Sequence, residues 1–299
     1  MSSQTGGHPL FILAAILSLS ILVACDTGSL GTGGVPSAAP QPAVDVGSGE
    51  GAESAGSPAK KAPQRPIVAE TLPYAEVDEE LVYGHFVFPA DMVDPLPGVI
   101  VIHEWWGLTD EVRAVADRIA AEGYVVLAVD LFGGSSTQSP ADARQLMVNV
   151  VENPDLANEN ISQAYQFLVD SGQAPRIGAL GWDFGGGWAL NTAMLFPDGL
   201  DAVVIYYGQI TDNQARLEPI NVPILGLFGA NDRGIPVAVV RKFEQALEIL
   251  DKNYEIEIYP DADHAFANPA GPNYNAAAAE QAWGRTLEFL NRHLTVAVD

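Results

Sequence analysis

The chain has 299 residues, 48% hydrophobic and 17% charged, which suits one large globular domain or two small ones. Its 38 Asp and Glu against 14 Lys and Arg give a formal net charge of −24, which argues against nucleic acid as a partner and against basic attachment to anionic lipid. The single cysteine, Cys25, excludes an internal disulfide and any thiol chemistry in a domain that follows it.

Leu10–Ala24 is an apolar run of 15 residues, short for a bilayer span and suited to a signal-peptide core. It ends Leu22-Val23-Ala24-Cys25, which resembles a bacterial lipobox. Residues 1–25 are therefore expected to be a lipoprotein signal peptide, with Cys25 as the lipid attachment point. An uncleaved N-terminal anchor is the other reading, because no Lys or Arg precedes the run. Either way the domain is exported and held at a membrane of the bacterial cell envelope, and two or more acyl chains on Cys25 would make the attachment stable. Residues 26–66 are rich in Gly, Ser, Pro and Ala and contain no aromatic residue, the composition of a flexible linker. Such a tether spans roughly 35 Å root-mean-square.

Residues 67–299 are expected to form one domain. Leu81–Phe88 and Gly98–His103 read as strands, the second apolar throughout, as for a strand buried on both faces. Asp110–Glu122 carries Val112, Val115, Ala116 and Ile119 at helical spacing and stops at Gly123. Tyr124–Val129 is a strand, and Ala141–Val151 and Asn158–Ser171 are helices. Then come the strand Ile177–Leu180, the helix Gly186–Leu195, the strands Ala202–Tyr207 and Pro223–Phe228, the helix Pro236–Leu250, the strand Tyr254–Tyr259 and the helix Asn275–His293. Strands alternating with helices predict a doubly wound, mostly parallel α/β sheet with helices on both faces. Its active site belongs at the carboxyl ends of the strands.

The strongest chemical signal is Gly181-Trp182-Asp183-Phe184-Gly185-Gly186, between a strand and a helix. A tight turn of this kind needs small residues around its centre and presents the central side chain at the top of the sheet, as in a nucleophile elbow. The plain alternative is a Gly-rich turn with Asp183 as helix N-cap. Asp232 and His264 each follow a later strand. Singly they read as a turn residue and a surface histidine. Together with Asp183 they follow the order nucleophile, acid, histidine of α/β-hydrolases, in which the acid orients the imidazole base. No metal-ligand spacing and no dinucleotide fingerprint is present in the sequence, so no cofactor is expected.

A fourth motif, His103-Glu104-Trp105-Trp106-Gly107-Leu108, makes the reading specific. With GYVVLAVDLFGG, the elbow, GANDRGIP, HAFAN and the closing AAAEQAWGRTLEFLNRHL, it resembles the dienelactone hydrolase (carboxymethylenebutenolidase-like) family over Ile67–Leu294. That resemblance implies an α/β-hydrolase fold and a hydrolase of small-molecule ester or lactone bonds; a monomer is expected. It implies that Asp183 stands at the nucleophile position, with Asp232 as the acid, His264 as the base and Glu104 as the carboxylate that holds the resting nucleophile. It also implies an oxyanion hole from the backbone N–H groups of Trp105 and Phe184. Trp106, Trp182 and Phe266 are candidates for the substrate pocket, although Trp105, Trp106 and Trp182 serve equally well as core. His85, His103 and His293 read as non-catalytic.

Two departures from the family pattern matter. The family carries Cys, or sometimes Ser, where this chain has Asp183. Carboxylate attack on an ester would give an anhydride, whereas carboxylate nucleophiles work well at sp3 carbon. Asp183 beside Glu104 would also crowd two carboxylates and raise one pKa. The family's dienelactone-cleaving members bind a substrate carboxylate through arginines, one just after the histidine, and His264-Ala265-Phe266-Ala267-Asn268 has none. Three readings stay open: an ester or lactone hydrolase with Asp183 as base for water, a hydrolase at sp3 carbon with Asp183 as covalent nucleophile, and a catalytically silent binding protein. The 16-residue segment Tyr207–Val222 is too short for the cap domain that usually accompanies the second.

Overall fold

The computed structural model describes residues 65–295. The signal segment, Cys25 and nearly all of the expected linker lie outside the described residues. Eight strands form one sheet: β1 (Ile67–Val77), β2 (Glu80–Pro89), β3 (Gly98–Ile102), β4 (Val125–Val129), β5 (Ile177–Trp182), β6 (Ala202–Tyr206), β7 (Ile224–Gly229) and β8 (Tyr254–Tyr259). Their order across the sheet is β1-β2-β4-β3-β5-β6-β7-β8. β1 and β2 are antiparallel, β2 joins β4 antiparallel, and β4 through β8 are all parallel.

The expected mostly parallel, doubly wound sheet is the one observed. Among the described residues seven helices accompany it: α1 (Asp110–Ala121), α2 (Pro140–Glu152), α3 (Pro154–Asp170), α4 (Phe184–Leu195), the single turn α5 (Gln214–Leu217), α6 (Val237–Ile249) and α7 (Ala276–Leu294). Ile100 and Ile102 of β3 face a core shared with α2, α3, α4 and α6. Val99 and Val101 face the opposite core, shared with α1 and α7. This two-sided burial is why β3 and β4 are apolar without alternation. β8 closes the far edge and alternates instead: Ile256 and Ile258 pack on the core while Glu255 and Glu257 meet Arg285 of α7, at 2.6 and 3.1 Å.

The structure adds one strand to the sequence reading. β1 carries Pro73, two glutamates (Glu70 and Glu76) and a register shift between Pro73 and Ala75, so its pattern is interrupted. An edge strand tolerates all of this, because one of its backbone faces has no neighbour to satisfy. α4 also begins at Phe184, two residues earlier than Gly186, so the elbow runs from strand to helix without an intervening loop. Between β6 and β7 the chain forms only α5 and its flanking loops, with no cap domain.

Candidate active site

The elbow is built by close backbone approach. A Cβ on Gly181 would lie 2.1 Å from the Gly185 carbonyl oxygen, and one on Gly185 would lie 2.2 Å from that of Ile102. Only glycine lets β3, β5 and α4 meet this tightly. The turn forces Asp183 into φ 50°, ψ −113°, a conformation that costs a non-glycine residue about 1–3 kcal/mol. The Asp183 N–H donates to the Tyr206 carbonyl at 3.0 Å, which ties the strained residue to β6. Its side chain makes no N-cap hydrogen bond to α4, so the plain capping reading fails.

The Asp183 carboxylate instead turns to His264, where Oδ1 lies 3.0 Å from Nε2. On the other side of the ring, Nδ1 lies 2.8 Å from Asp232 Oδ2. Asp232 follows β7 and is buried, and its Oδ1 accepts the N–H groups of Gly234 and Ile235 at 2.7 and 2.9 Å. Burial alone would raise its pKa, but the hydrogen bonds from His264, Ile235 and Gly234 outweigh burial and hold it below the usual carboxylate range. The loops after β7 and β8 are pressed together at Gly229, where a Cβ would lie 2.4 Å from the Ala262 carbonyl oxygen. That contact brings Asp232 to His264. Burial opposes charge on the imidazole, yet hydrogen bonds to Asp183 and Asp232 win and push its pKa up to about 10. At neutral pH His264 is therefore a cation between two carboxylates.

Glu104, at the end of β3, is also buried. Its Oε1 accepts the Tyr207 hydroxyl at 3.2 Å and its Oε2 accepts Asn268 Nδ2 at 2.7 Å. Burial, and next the charge of Asp183, raise its pKa to about 7. The expected crowding of two carboxylates is thus present. Tyr207 and Asn268 were absent from the expected site. Their sequence signals are weak: Tyr207 directly follows β6 and Asn268 ends the HAFAN segment, but neither residue type announces a carboxylate clamp.

His103 fixes the backbone at this point. Its Nε2 accepts the Leu131 N–H at 3.1 Å, so Nδ1 carries the proton and donates to the Glu104 carbonyl at 2.6 Å. Burial lowers its pKa and keeps it neutral, a supporting residue as expected. The backbone N–H of Phe184 opens α4 and has no partner within that helix, and Trp105 immediately follows Glu104.

An open cavity of about 900 Å³ adjoins Glu104, with Trp106, Trp182, Tyr207 and Asn268 in its wall. Asp183 and His264 lie beside it rather than in its lining, each partly exposed. Trp106 and Trp182 thus lie where a pocket was expected. Phe266 does not: it has no exposed surface and packs among Tyr206, Tyr207 and Tyr259. It backs the pocket wall from the core, since the left-handed Ala265 at φ 61° turns the chain inward after His264.

Comparison with known proteins agrees with this geometry. Residues 83–294 match the model of the dienelactone hydrolase family. A protein of Escherichia coli provisionally described as a carboxymethylenebutenolidase is 33% identical over 219 residues, covering 69% of this chain and 80% of its own. A Klebsiella pneumoniae structure provisionally described as a dienelactone hydrolase superposes with a TM-score of 0.69 at 26% identity, over 76% of this chain and 100% of that one. A dienelactone hydrolase-like promiscuous phosphotriesterase from metagenomic libraries shares the fold, with a TM-score of 0.70 at 20% identity over 77% of this chain and 99% of its own. Sheet order, elbow, histidine–aspartate pair and sequence all lead to one assignment: this chain belongs to the dienelactone hydrolase family, a family of α/β-hydrolases.

Proposed function

We propose that the protein is an exported, lipid-anchored hydrolase of ester or lactone bonds in small molecules, and that Asp183 activates water rather than attacking the substrate itself. One observation carries this reading: the strained Asp183 aims its carboxylate at a His264 already paired with Asp232. The strained elbow sets the Asp183 carboxylate against an ordered acid–histidine pair, the juxtaposition that acid–base chemistry requires.

The protonation states set the roles. Asp183 takes a proton from water, and the water oxygen bonds to the carbonyl carbon. The N–H groups of Phe184 and Trp105 are the candidates to hold the resulting oxyanion. The cationic His264 gives its Nε2 proton to the leaving alkoxide as the carbon–oxygen bond breaks. Asp183 then returns its proton to Nε2, and the site is restored. Asn268, not an arginine, donates to Glu104 beside the triad.

Nitrophenyl acetate hydrolysis by the full chain in detergent tests the activity. It should be lost in His264→Ala. A single turnover in water enriched in heavy oxygen tests the role of Asp183. Water attack leaves the Asp183 carboxylate unlabelled, whereas attack by Asp183 on the ester would pass through a mixed anhydride, and water adding to its aspartyl carbon would label it. An inactive natural protein with an active Asp183→Cys variant would overturn the ester reading. The apolar run Leu10–Ala24 and the Cys25 that follows it support the anchor. Cys25→Ser should move the protein from the membrane fraction to the soluble one.

A further inference from the structure

A second concavity, of about 660 Å³, adjoins the active-site cavity. Leu108 and Arg113 line both, and Ser135 of one precedes Ser136 of the other in the chain. Its wall is mixed: Asn149, Asn153 and Asn160 lie in it beside Phe132, Leu81, Tyr83 and Leu156, and the last three keep 55%, 50% and 41% of their surface exposed. None of these last three belongs to either core cluster. Scattered exposed apolar residues need no explanation, but three large ones around one concavity suit a ligand. Asp78 and Glu80 also line it and would repel an anionic occupant.

We infer that this second concavity is a subsite for the neutral, apolar tail of an ester substrate whose carbonyl lies at Asp183. The tail passes Leu108 and Arg113 and leaves water against Leu81, Tyr83 and Leu156. The inference rests on the ester-hydrolase reading and deepens it, since it names the substrate class as esters with long hydrocarbon chains. Continuity with the active-site cavity selects this occupant over an unrelated ligand.

The test uses the full chain and nitrophenyl alkanoates from acetyl to dodecanoyl. kcat/KM should rise with chain length, by up to about fourfold for each methylene that leaves water. Leu156→Glu and Leu81→Glu, both at exposed positions, should flatten that rise while melting temperatures stay close to that of the natural protein. A flat series, or a rise that ignores both substitutions, would overturn the tail subsite. If no ester is cleaved at all, calorimetric binding of N-decylacetamide against N-ethylacetamide decides separately. Preference for the decyl compound, weakened by Leu156→Glu, supports the subsite although the ester reading fails. Equal binding of the two amides defeats it.

Discussion

His264 Nε2 stands 3.0 Å from Asp183 Oδ1, on the side of the ring opposite Asp232. Two carboxylates therefore accept from one ring, and both ring nitrogens must carry protons to satisfy them. With a nucleophilic hydroxyl or thiol in place of Asp183, the same nitrogen would be free to take a proton. The aspartate changes the histidine from a resting base into a resting acid.

The imidazolium should accordingly persist to about pH 10, which an NMR titration of the ring would follow. The folded-state pKa lies above the ordinary 6.5, so the clamp stabilises the fold fully below that value. Its contribution fades as pH rises through about 10. Ester hydrolysis should fall over the same alkaline limb. In Asp183→Asn the ring should titrate at a lower pH, and a ring that titrates unchanged would contradict the clamp.

Asp183→Cys should convert the site to covalent catalysis. The thiol would pair with a His264 freed of one carboxylate, and an acyl-enzyme should be visible by mass spectrometry after mixing with an aryl ester. Asp183→Ala should lose both chemistries, with a fall in kcat of about 10²–10⁴, the range for a positioned acid or base.

Glu104 is buried with its pKa raised from 4.5 to about 7. A carboxyl whose folded pKa is raised favours the fold below its unfolded pKa and loses that advantage as pH rises through the folded value. Glu104→Gln keeps an acceptor for Asn268 and removes the titration. Its melting temperature should exceed that of the natural protein more at about pH 8 than at about pH 5, with an upper bound near 3 kcal/mol of added stability. A gap independent of pH would show that Glu104 does not titrate there.

Gly185→Ala should be severely destabilising. The new methyl would meet the backbone oxygens of Ile102 and His103 at 2.2 and 2.5 Å, and backbone cannot swing aside as a side chain can. The loss should reach or exceed the roughly 1–3 kcal/mol typical of an overpacked core. Denaturant unfolding measures it. Gly284→Ala, where the methyl would meet nothing within 4 Å, is the matched control.

Much of the architecture was legible because buried parallel strands and amphipathic helices leave strong local patterns. GVIVIH and YVVLAV are apolar on both faces because cores lie on both faces. β1 was not legible: an edge strand with proline and two glutamates buries too little to leave a pattern. Asp183, Asp232, His264 and Glu104 could be picked out because each follows a strand of a sheet whose strand ends converge.

By itself, the sequence determined the fold class, the family resemblance, the order of the candidate triad and the aspartate at its head, all of which follow from residue type and local period. Only the tertiary structure decided which way the Asp183 carboxylate points. It also decided that Tyr207 and Asn268 clamp Glu104, that Phe266 lies in the core and that a second concavity continues the first. Those are contacts between residues far apart in the chain, up to 164 positions for Asn268 and Glu104, and no local pattern encodes the direction of a side chain across such a distance.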